Sequence, residues 1–266
     1  MPIASPPSPI SRLRKNIWGG LRRITPMRLR PTGYITHLTY TRTGSNVHSG
    51  PFVGMKYIRD SWFGSYIPKL LGVYERELHH ALESAIARNP DVVVDVGAAE
   101  GYYSVGLCRR LPHAKHIAFE MGQEARAMIA DLSQLNGCQD KIDIRAECDP
   151  VQLESALAGS ENPLTIIDVE GYEKVLVDPA NVPSLRKAMI LVELHTRVPR
   201  IAEMLYERFE QTHRIERIWT EDRSPSEYPF DTRLIRLLPV RHRAWALDEL
   251  RTVKMSWLWM VSRTDP

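Results

Sequence analysis

Four side chains that can accept a proton stand at the ends of two apolar runs, at residues 164–169 and 189–194. Runs of this length are typical of buried strands, and ligands bind where the carboxyl ends of parallel strands meet. A carboxylate or an imidazole there can remove the proton of a hydroxyl nucleophile. The same donors can hold a divalent cation that lowers the pKa of a hydroxyl. The candidate catalytic residues are Asp168, Glu170, Glu193 and His195.

Structural roles stay open for two members of this group. Glu170 has the position of a cap on a following helix, because carboxylates accept hydrogen bonds from the backbone N–H groups of a first turn. His195 can equally be a hydrogen-bonded side chain beneath a loop, as most buried polar groups are. A divalent cation is kept as an alternative here and is not predicted.

A glycine-bearing loop follows an earlier apolar run, in the stretch VVVDVGAAEGYYSVGL. Gly97 and Gly101 separate this run from a helical pattern, which is how a nucleotide-like cofactor is commonly held at the edge of a parallel sheet. A dinucleotide would require the spacing G-x-G-x-x-G, and the chain has Ala99 where the middle glycine would stand. The loop therefore departs from the dinucleotide pattern.

Carboxylates flank and enter this loop. Asp95 ends the apolar run, Glu100 lies inside the loop, and the loop sequence contains neither lysine nor arginine. Both acids would oppose a pyrophosphate, which binds through backbone N–H groups and the positive end of a helix. S-adenosylmethionine carries a positive sulfonium and an amino group, so the acids favour it over a dinucleotide. Glu120, about twenty residues further on, can accept hydrogen bonds from ribose hydroxyls. A nicotinamide-dependent oxidoreductase is the alternative function.

The elements that must position these residues alternate along the chain. Strand-like runs occur at residues 92–96, 117–119, 142–146, 164–169 and 189–194. Helical periodicity fills the segments between them, which predicts an α/β fold with a parallel, doubly wound sheet and helices on both faces. Two further strands are predicted near the C-terminus, at RIERIWT and MSWLWMVS. A loop around Pro225 and Pro229 separates them.

Two features are predicted before the first strand. Apolar residues recur at helical spacing from Leu71 to Ile86, and Asn89-Pro90 ends this pattern, so we expect a helix over this stretch. Residues 32–66 are rich in glycine, aromatic and β-branched residues, which favours short strands and loops.

The N-terminal part of the chain is basic. Every charged residue from Met1 to Arg59 is an arginine or a lysine, whereas the whole chain carries a net charge of +3. Residues 1–9 are predicted to be disordered, and residues 10–24 show the pattern of an amphipathic helix that could contact a membrane surface or the protein's own core. We expect a basic extension over residues 1–66 and the main domain over residues 67–266. A non-catalytic binding module that uses this extension is a further alternative.

Composition narrows the class of protein. The chain is 43% hydrophobic and 25% charged, which is typical of a globular protein. Three scattered cysteines are too few for a disulfide framework and favour a cytoplasmic protein. No apolar stretch reaches the roughly 18 residues that a membrane span needs, so a soluble protein is expected. A nucleic-acid partner is not predicted.

The motifs resemble those of the FkbM-type family of S-adenosylmethionine-dependent methyltransferases. The resemblance covers residues 70–195 and rests on DVGA with GYYS in the glycine loop, on DVEGYE from Asp168 to Glu173, and on VELH from Val192 to His195. It implies the class I methyltransferase fold, a Rossmann-like sheet of seven strands whose last strand is antiparallel. It also implies methyl transfer to a small-molecule or glycan acceptor, which we expect to occur on oxygen, with nitrogen as the alternative.

Cofactor contacts are carried over from the resemblance to the matching positions of this chain. The methionine part would lie on the loop, the ribose at Glu120, and the adenine beside the ends of the second and third strands. The residues expected to contact S-adenosylmethionine are Asp95, Val96, Gly97, Ala98, Ala99, Glu100, Gly101, Tyr103, Glu120, Met121, Glu147, Cys148 and Asp168.

Overall fold

The computed structural model describes residues 30–58, 66–195, 198–251 and 253–263. The predicted disorder of residues 1–9 and the predicted helix over residues 10–24 lie outside the described residues, as does any membrane contact of that segment. Among the helices that are described, none is both long and apolar enough to cross a bilayer.

One mixed sheet organises the described part of the chain. Its strands are β1 (Val92–Val96), β2 (Lys115–Phe119), β3 (Ile142–Arg145), β4 (Pro163–Ile167), β5 (Met189–Leu194), β6 (His213–Trp219) and β7 (Ser256–Ser262). Their order across the sheet is β3-β2-β1-β4-β5-β7-β6. Strands β1 to β5 pair in parallel, and β7 lies antiparallel between β5 and β6. The predicted seven-stranded, mostly parallel α/β sheet is confirmed, including its antiparallel last strand.

Helices cover both faces of this sheet. The helices of the described residues are α1 (Pro31–Thr43), α2 (Tyr66–Leu71), α3 (His79–Ala87), α4 (Tyr102–Arg110), α5 (Gln123–Leu135), α6 (Pro150–Leu157), α7 (Glu173–Leu176), α8 (Ile201–Phe209), α9 (Arg233–Leu237) and α10 (Arg241–Leu247). Short 3₁₀ turns lie at Arg76–Leu78, Pro183–Lys187 and Pro225–Glu227.

The core lies in two layers, one on each face of the sheet. Val93 packs in one apolar cluster with residues of α3, α4 and α5, whereas Val94 and Val96 pack in the other with residues of α6, α7 and α8. Successive side chains of a strand point to opposite faces, so burial on both faces requires a continuous apolar strand. This is why the central strands are visible in the sequence as uninterrupted apolar runs.

The helix predicted from Leu71 to Ile86 is wrong in its first half. Leu71 ends α2, and Gly72 then turns the chain with a φ of +73°. A Cβ at Gly72 would lie 1.9 Å from the carbonyl oxygen of Ser49, so the close approach of that backbone requires glycine. The 3₁₀ turn at Arg76–Leu78 then leads directly into α3, which ends before Asn89 as predicted.

The short strands predicted within residues 32–66 are wrong for the start of this segment, because α1 occupies it. Pro31 lies in its first turn and Gly44 ends it in the left-handed conformation, as helix termini favour. Thr39 returns its hydroxyl hydrogen bond to the carbonyl of Ile35, one turn earlier. This bond satisfies the hydroxyl of a side chain that is buried against the rest of the protein. Beyond α1 the described pairing is an isolated bridge between Asn46 and Lys56.

Described residues of the predicted extension pack with the main domain. Phe52, Met55 and Tyr57 share the apolar cluster of Val93. The boundary predicted near residue 66 therefore does not separate two cores among these residues.

The predicted loop before β7 contains more structure than expected. Pro225 begins a 3₁₀ turn, and α9 and α10 follow it. Both helices contribute to a third apolar cluster with α1 and α2, through residues such as Ile35 and Ile235. The segment is therefore a packed layer over the N-terminal helices.

Candidate active site

Gly97 follows β1, the strand at which the order of strands across the sheet reverses. β1 pairs with β2 on one side and with β4 on the other, and the crevice between such strands is the usual ligand site of a doubly wound sheet. Gly97 has a φ of +85°, and a Cβ there would lie 1.8 Å from the carbonyl oxygen of Asp168. The loops that follow β1 and β4 are thus in direct contact, and only glycine allows this approach.

Backbone hydrogen bonds hold the glycine loop against the end of β2. The N–H groups of Gly97 and Ala98 both donate to the carbonyl of Phe119, at 2.9 and 3.0 Å. Ala99 has a φ of +49° and Gly101 a φ of +91°, so the loop turns through the left-handed region before α4 begins. Val96 and Ala98 are buried beneath it. The loop is therefore a rigid support with its surface at the carboxyl edge of the sheet.

Glu120, the residue directly after β2, is hydrogen-bonded to this loop. Its carboxylate accepts a hydrogen bond from the N–H of Ala99 at 2.9 Å and another from the N–H of Gly122 at 2.7 Å. The side chain is half-buried and lies directly beside the glycine loop. This is the neighbourhood that the sequence prediction of a ribose contact requires.

Asp95 is a carboxylate buried at the base of the loop. It is 3% exposed, and the hydroxyl of Ser104 in α4 donates to it at 2.5 Å. Burial raises the pKa of Asp95 to about 6, although the hydrogen bonds from Ser104 act in the opposite direction. The fold therefore carries an acid at a position where ionisation is costly, which is typical of functional sites.

Glu100 does not contribute an unbalanced charge to the loop. It is fully buried, ion-paired with Lys69 of α2, and accepts a hydrogen bond from the hydroxyl of Tyr57 at 2.6 Å. Burial would raise its pKa, but Lys69 and Tyr57 outweigh burial and hold the pKa below the ordinary value. The sequence analysis counted Glu100 as an acid that opposes a pyrophosphate, and this is corrected, because Lys69 balances its charge from outside the loop.

The remaining predicted cofactor residues differ in exposure. Met121 is 76% exposed just after β2, and Glu147 is exposed after β3. Cys148 is buried in the apolar cluster of Val94. Tyr103 donates its hydroxyl to Glu75, which turns its polar end toward the segment before α3. These positions agree with strand-end locations for three of the four, and Tyr103 has a clear structural role.

The four predicted catalytic side chains converge around the imidazole of His195. Its Nε2 atom lies 3.5 Å from Asp168 Oδ1, 3.5 Å from Glu170 Oε2 and 3.6 Å from Glu193 Oε2. Glu193 and His195 are buried, whereas the side chain of Glu170 is 66% exposed at the rim. The prediction that the ends of β4 and β5 bring these groups together is in accord with this geometry.

Glu173, in the first turn of α7, fixes the orientation of this imidazole. Its Oε1 atom lies 2.5 Å from His195 Nδ1, and it also accepts the N–H of Gly171 at 3.0 Å. Burial would lower the pKa of His195, but Glu173, Glu193 and Glu170 outweigh it and raise the pKa above its ordinary value. Glu173 belongs to the DVEGYE motif, but its role was not predicted from the sequence.

Arg251 orients the carboxylate of Glu193. Its guanidinium donates to Glu193 Oε1 at 2.8 Å and also pairs with Glu75 and Glu249. Burial and the neighbouring Glu193 raise the pKa of Asp168 well above its ordinary value. The site is therefore rich in carboxylates, and its surroundings disfavour the ionised form of Asp168. Sequence reasoning missed Arg251 because nothing local marks it.

A surface cavity lies at the opposite end of the sheet, between the segment before β5 and the end of β7. Ser184, Lys187, Thr212 and Ser262 are among its lining residues. β5 and β7 run antiparallel, so these residues lie near the amino end of β5. The cavity is therefore remote from the glycine loop and from His195.

The sheet order, the antiparallel β7 and the glycine loop at the switch point define a Rossmann-like α/β protein with the strand arrangement of class I methyltransferases. No family model and no curated protein matches the chain. Similar solved structures include a precorrin-6Y C5,15-methyltransferase from Geobacter metallireducens, with 11% identity and a TM-score of 0.45, covering 68% of this chain and 86% of that one. An O-methyltransferase from Bacillus cereus in complex with SAH has 13% identity and a TM-score of 0.40, covering 58% and 88%. Likeness at this level carries no conclusion about activity.

Proposed function

We propose that this protein is an S-adenosylmethionine-dependent methyltransferase. The observation that carries the proposal is the contact between Gly97 and Asp168, which joins a cofactor-type loop to a group of proton-accepting side chains. A methyl donor on the loop and an acceptor beside His195 would meet at one edge of the sheet. Holding two reactants together in this way is the main requirement of a direct displacement.

The residues around the loop fit an adenosyl cofactor with a positive charge. Glu120 offers carboxylate oxygens for ribose hydroxyls, and its present partners are the backbone N–H of Ala99 in the loop and the backbone N–H of Gly122 after β2. Asp95 places a carboxylate beneath the methionine side of the loop. The electrostatic preference for a cation therefore depends on Asp95 and Glu120, and no longer on Glu100. The cofactor would supply an electrophilic methyl group on a sulfonium.

The chain's own residues would orient the acceptor and remove its proton. His195 and Glu170 are the side chains best placed to do so, because one lies at the centre of the group and the other at its exposed rim. Glu173 would keep the imidazole in one orientation through Nδ1. Proton removal by a positioned base typically contributes 10²–10⁴-fold, roughly, to such a reaction.

The narrower assignment to the FkbM-type family rests on the quoted motifs. In the structure DVEGYE supplies Asp168, Glu170 and Glu173, and VELH supplies Glu193 and His195, so both motifs contribute to one site. This supports O-methylation of a small-molecule or glycan acceptor as the form of the reaction that we propose. Buried carboxylates around the acceptor position also suit a neutral hydroxyl better than an anionic substrate.

The proposal is tested by incubating the full chain with methyl-labelled S-adenosylmethionine and cell-extract fractions of small molecules, glycans, proteins and RNA. Label is expected in the small-molecule or glycan fraction, and it should be lost in His195→Gln while affinity for S-adenosylhomocysteine is retained. Label confined to protein or RNA would contradict the acceptor class. Absence of label together with absence of cofactor binding would contradict the methyltransferase itself.

A further inference from the structure

We propose that Asp168, Glu193 and His195 form a binding site for one divalent first-row transition-metal cation, with Glu173 and Arg251 as positioning residues. The sequence left such a cation as an alternative, and the geometry now points to a defined set of three donors. Its catalytic role rests on the proposed methyl transfer, whereas its existence does not.

The three donor atoms have the spacing of ligands to one ion. One oxygen of Asp168, one oxygen of Glu193 and a ring nitrogen of His195 all lie within 4.8 Å of one another. The distances of 3.5 and 3.6 Å from His195 Nε2 fall in the range spanned by two ligands at about 2.0–2.2 Å from a common centre. Only a small contraction of the group is needed to coordinate a cation.

An independent feature of His195 supports a metal rather than a mere acid cluster. Its Nδ1 atom is held by the buried carboxylate of Glu173 at 2.5 Å. With the proton on Nδ1, the lone pair of Nε2 points to Asp168 and Glu193. Metal-ligating histidines almost always carry such a carboxylate or carbonyl on the second ring nitrogen. The structure therefore presents the carboxylate–histidine arrangement of a ligand that is already oriented.

Glu193 is also held in one orientation, by Arg251 at the carboxylate oxygen that does not face His195. Arg251 holds Oε1 at 2.8 Å, and Oε2 is the oxygen that faces His195. Arg251 also pairs with Glu75 and with Glu249, and Glu249 has a second cation in Arg223 at 2.9 Å, so one guanidinium serves Glu193 and Glu75 together. A buried carboxylate group of this kind is costly unless a cation balances it. A bound divalent ion would supply that balance beside Asp168.

The donor types indicate which cation fits. Two carboxylates with one imidazole suit Mn²⁺ and similar first-row ions better than Ca²⁺, which prefers an all-oxygen shell. Three protein ligands leave coordination positions for the acceptor oxygen and for water. Coordination lowers the pKa of the acceptor hydroxyl, and its proton passes to the exposed carboxylate of Glu170 and then to solvent. The oxygen–methyl bond forms as the sulfur–methyl bond breaks, and the neutral thioether leaves. His195 is then a ligand and Glu170 the base.

The site is tested with the full chain, stripped by EDTA and titrated with MnCl₂ under electron paramagnetic resonance, with calorimetry of S-adenosylhomocysteine on the same samples. One equivalent of Mn²⁺ should bind. Asp168→Asn, Glu193→Gln and His195→Gln should each weaken it at least about 10-fold, and Glu173→Gln about 10- to 100-fold. The control is His80→Gln, which removes an exposed histidine that lies 3.0 Å from Glu216 and should leave Mn²⁺ affinity unchanged.

Nitrogen hyperfine coupling to Mn²⁺ in the unsubstituted protein keeps the test valid if a variant fails to fold. Coupling from one imidazole supports the site. Its absence, or equal loss of affinity in His80→Gln, overturns it. Failure of Mn²⁺ binding with S-adenosylhomocysteine affinity intact removes only the cation site. Mn²⁺ binding without S-adenosylhomocysteine binding removes only the methyltransferase.

Discussion

The carbonyl oxygen of Asp168 lies 1.8 Å from where a Cβ of residue 97 would stand. Gly97 therefore couples the cofactor loop after β1 to the acid group after β4. The two halves of the proposed reaction share one point of backbone contact, and a change at this point should affect both.

Gly97→Ala should destabilise the protein and weaken cofactor binding together. The matched control is Gly159→Ala, where φ is +81° and the structure leaves open space within 4 Å of the added Cβ. The control should cost about 1–2 kcal/mol from the left-handed backbone alone. Gly97→Ala should cost about 1–3 kcal/mol more, because the clash is with backbone and cannot be relieved by a rotamer change. Urea unfolding measures the free energy of unfolding of both variants, and calorimetry with S-adenosylhomocysteine measures cofactor binding. Equal losses of stability in the two variants would contradict the coupling.

Glu120→Gln should weaken binding of S-adenosylhomocysteine. Hydrogen bonds to a charged group contribute about 1.5–3 kcal/mol, so a loss of about 10- to 100-fold in affinity is expected. Glu124→Gln, on the exposed face of α5, is the matched control and should leave the dissociation constant unchanged. Calorimetry decides, and an unaltered affinity in Glu120→Gln would remove this residue from the cofactor site.

Asp95→Asn should make the protein more stable at neutral pH and should weaken its binding of S-adenosylhomocysteine. The pKa of Asp95 is raised from 3.8 to about 6 in the folded state, so the folded state binds more protons than the unfolded state between about pH 4 and pH 6. The stability of the unsubstituted protein therefore falls as pH rises through this window. The variant lacks this penalty and should gain up to about 3 kcal/mol above pH 6, with no gain below about pH 4.

Urea unfolding between pH 4 and pH 7.5 measures this gap. Asp140→Asn, at an exposed site, is the control and should change the free energy of unfolding by less than about 0.5 kcal/mol. A gap for Asp95→Asn that stays constant with pH would show that its carboxyl titrates normally.

Lys69→Met should destabilise the protein by about 3–5 kcal/mol, because it leaves the buried carboxylate of Glu100 without its cation. Combining it with Glu100→Gln should restore part of the loss. The surface pair Arg110–Glu83 provides the control cycle, with an expected coupling below about 1 kcal/mol. Additive effects of Lys69→Met and Glu100→Gln would contradict a buried ion pair.

The sheet and the location of the site could be predicted from the sequence for one reason. The central strands are buried on both faces, so their composition alone identifies them, and the carboxyl ends of β4 and β5 are neighbours in any sheet of this order. Asp168 and His195 meet because their strands pair, although 27 positions separate them (195 − 168).

The charge pairs of the site and the helix α1 could not be predicted, because they depend on tertiary contacts that leave no local sequence pattern. Lys69 reaches Glu100 from another helix, and Arg251 reaches Glu193 from the segment before β7. The helix α1 is stabilised by packing against α9 and α10, which overrides its β-branched composition. Charge balance in particular could not be predicted from the loop alone, because the balancing cation is remote in sequence.

The most direct measurement is calorimetric titration of the full chain with S-adenosylhomocysteine and, separately, with NAD⁺. Binding of S-adenosylhomocysteine that is weakened by Glu120→Gln, with no heat from NAD⁺, is the predicted result. Binding of NAD⁺ alone would contradict the assignment and identify the crevice beside Gly97 as a dinucleotide site.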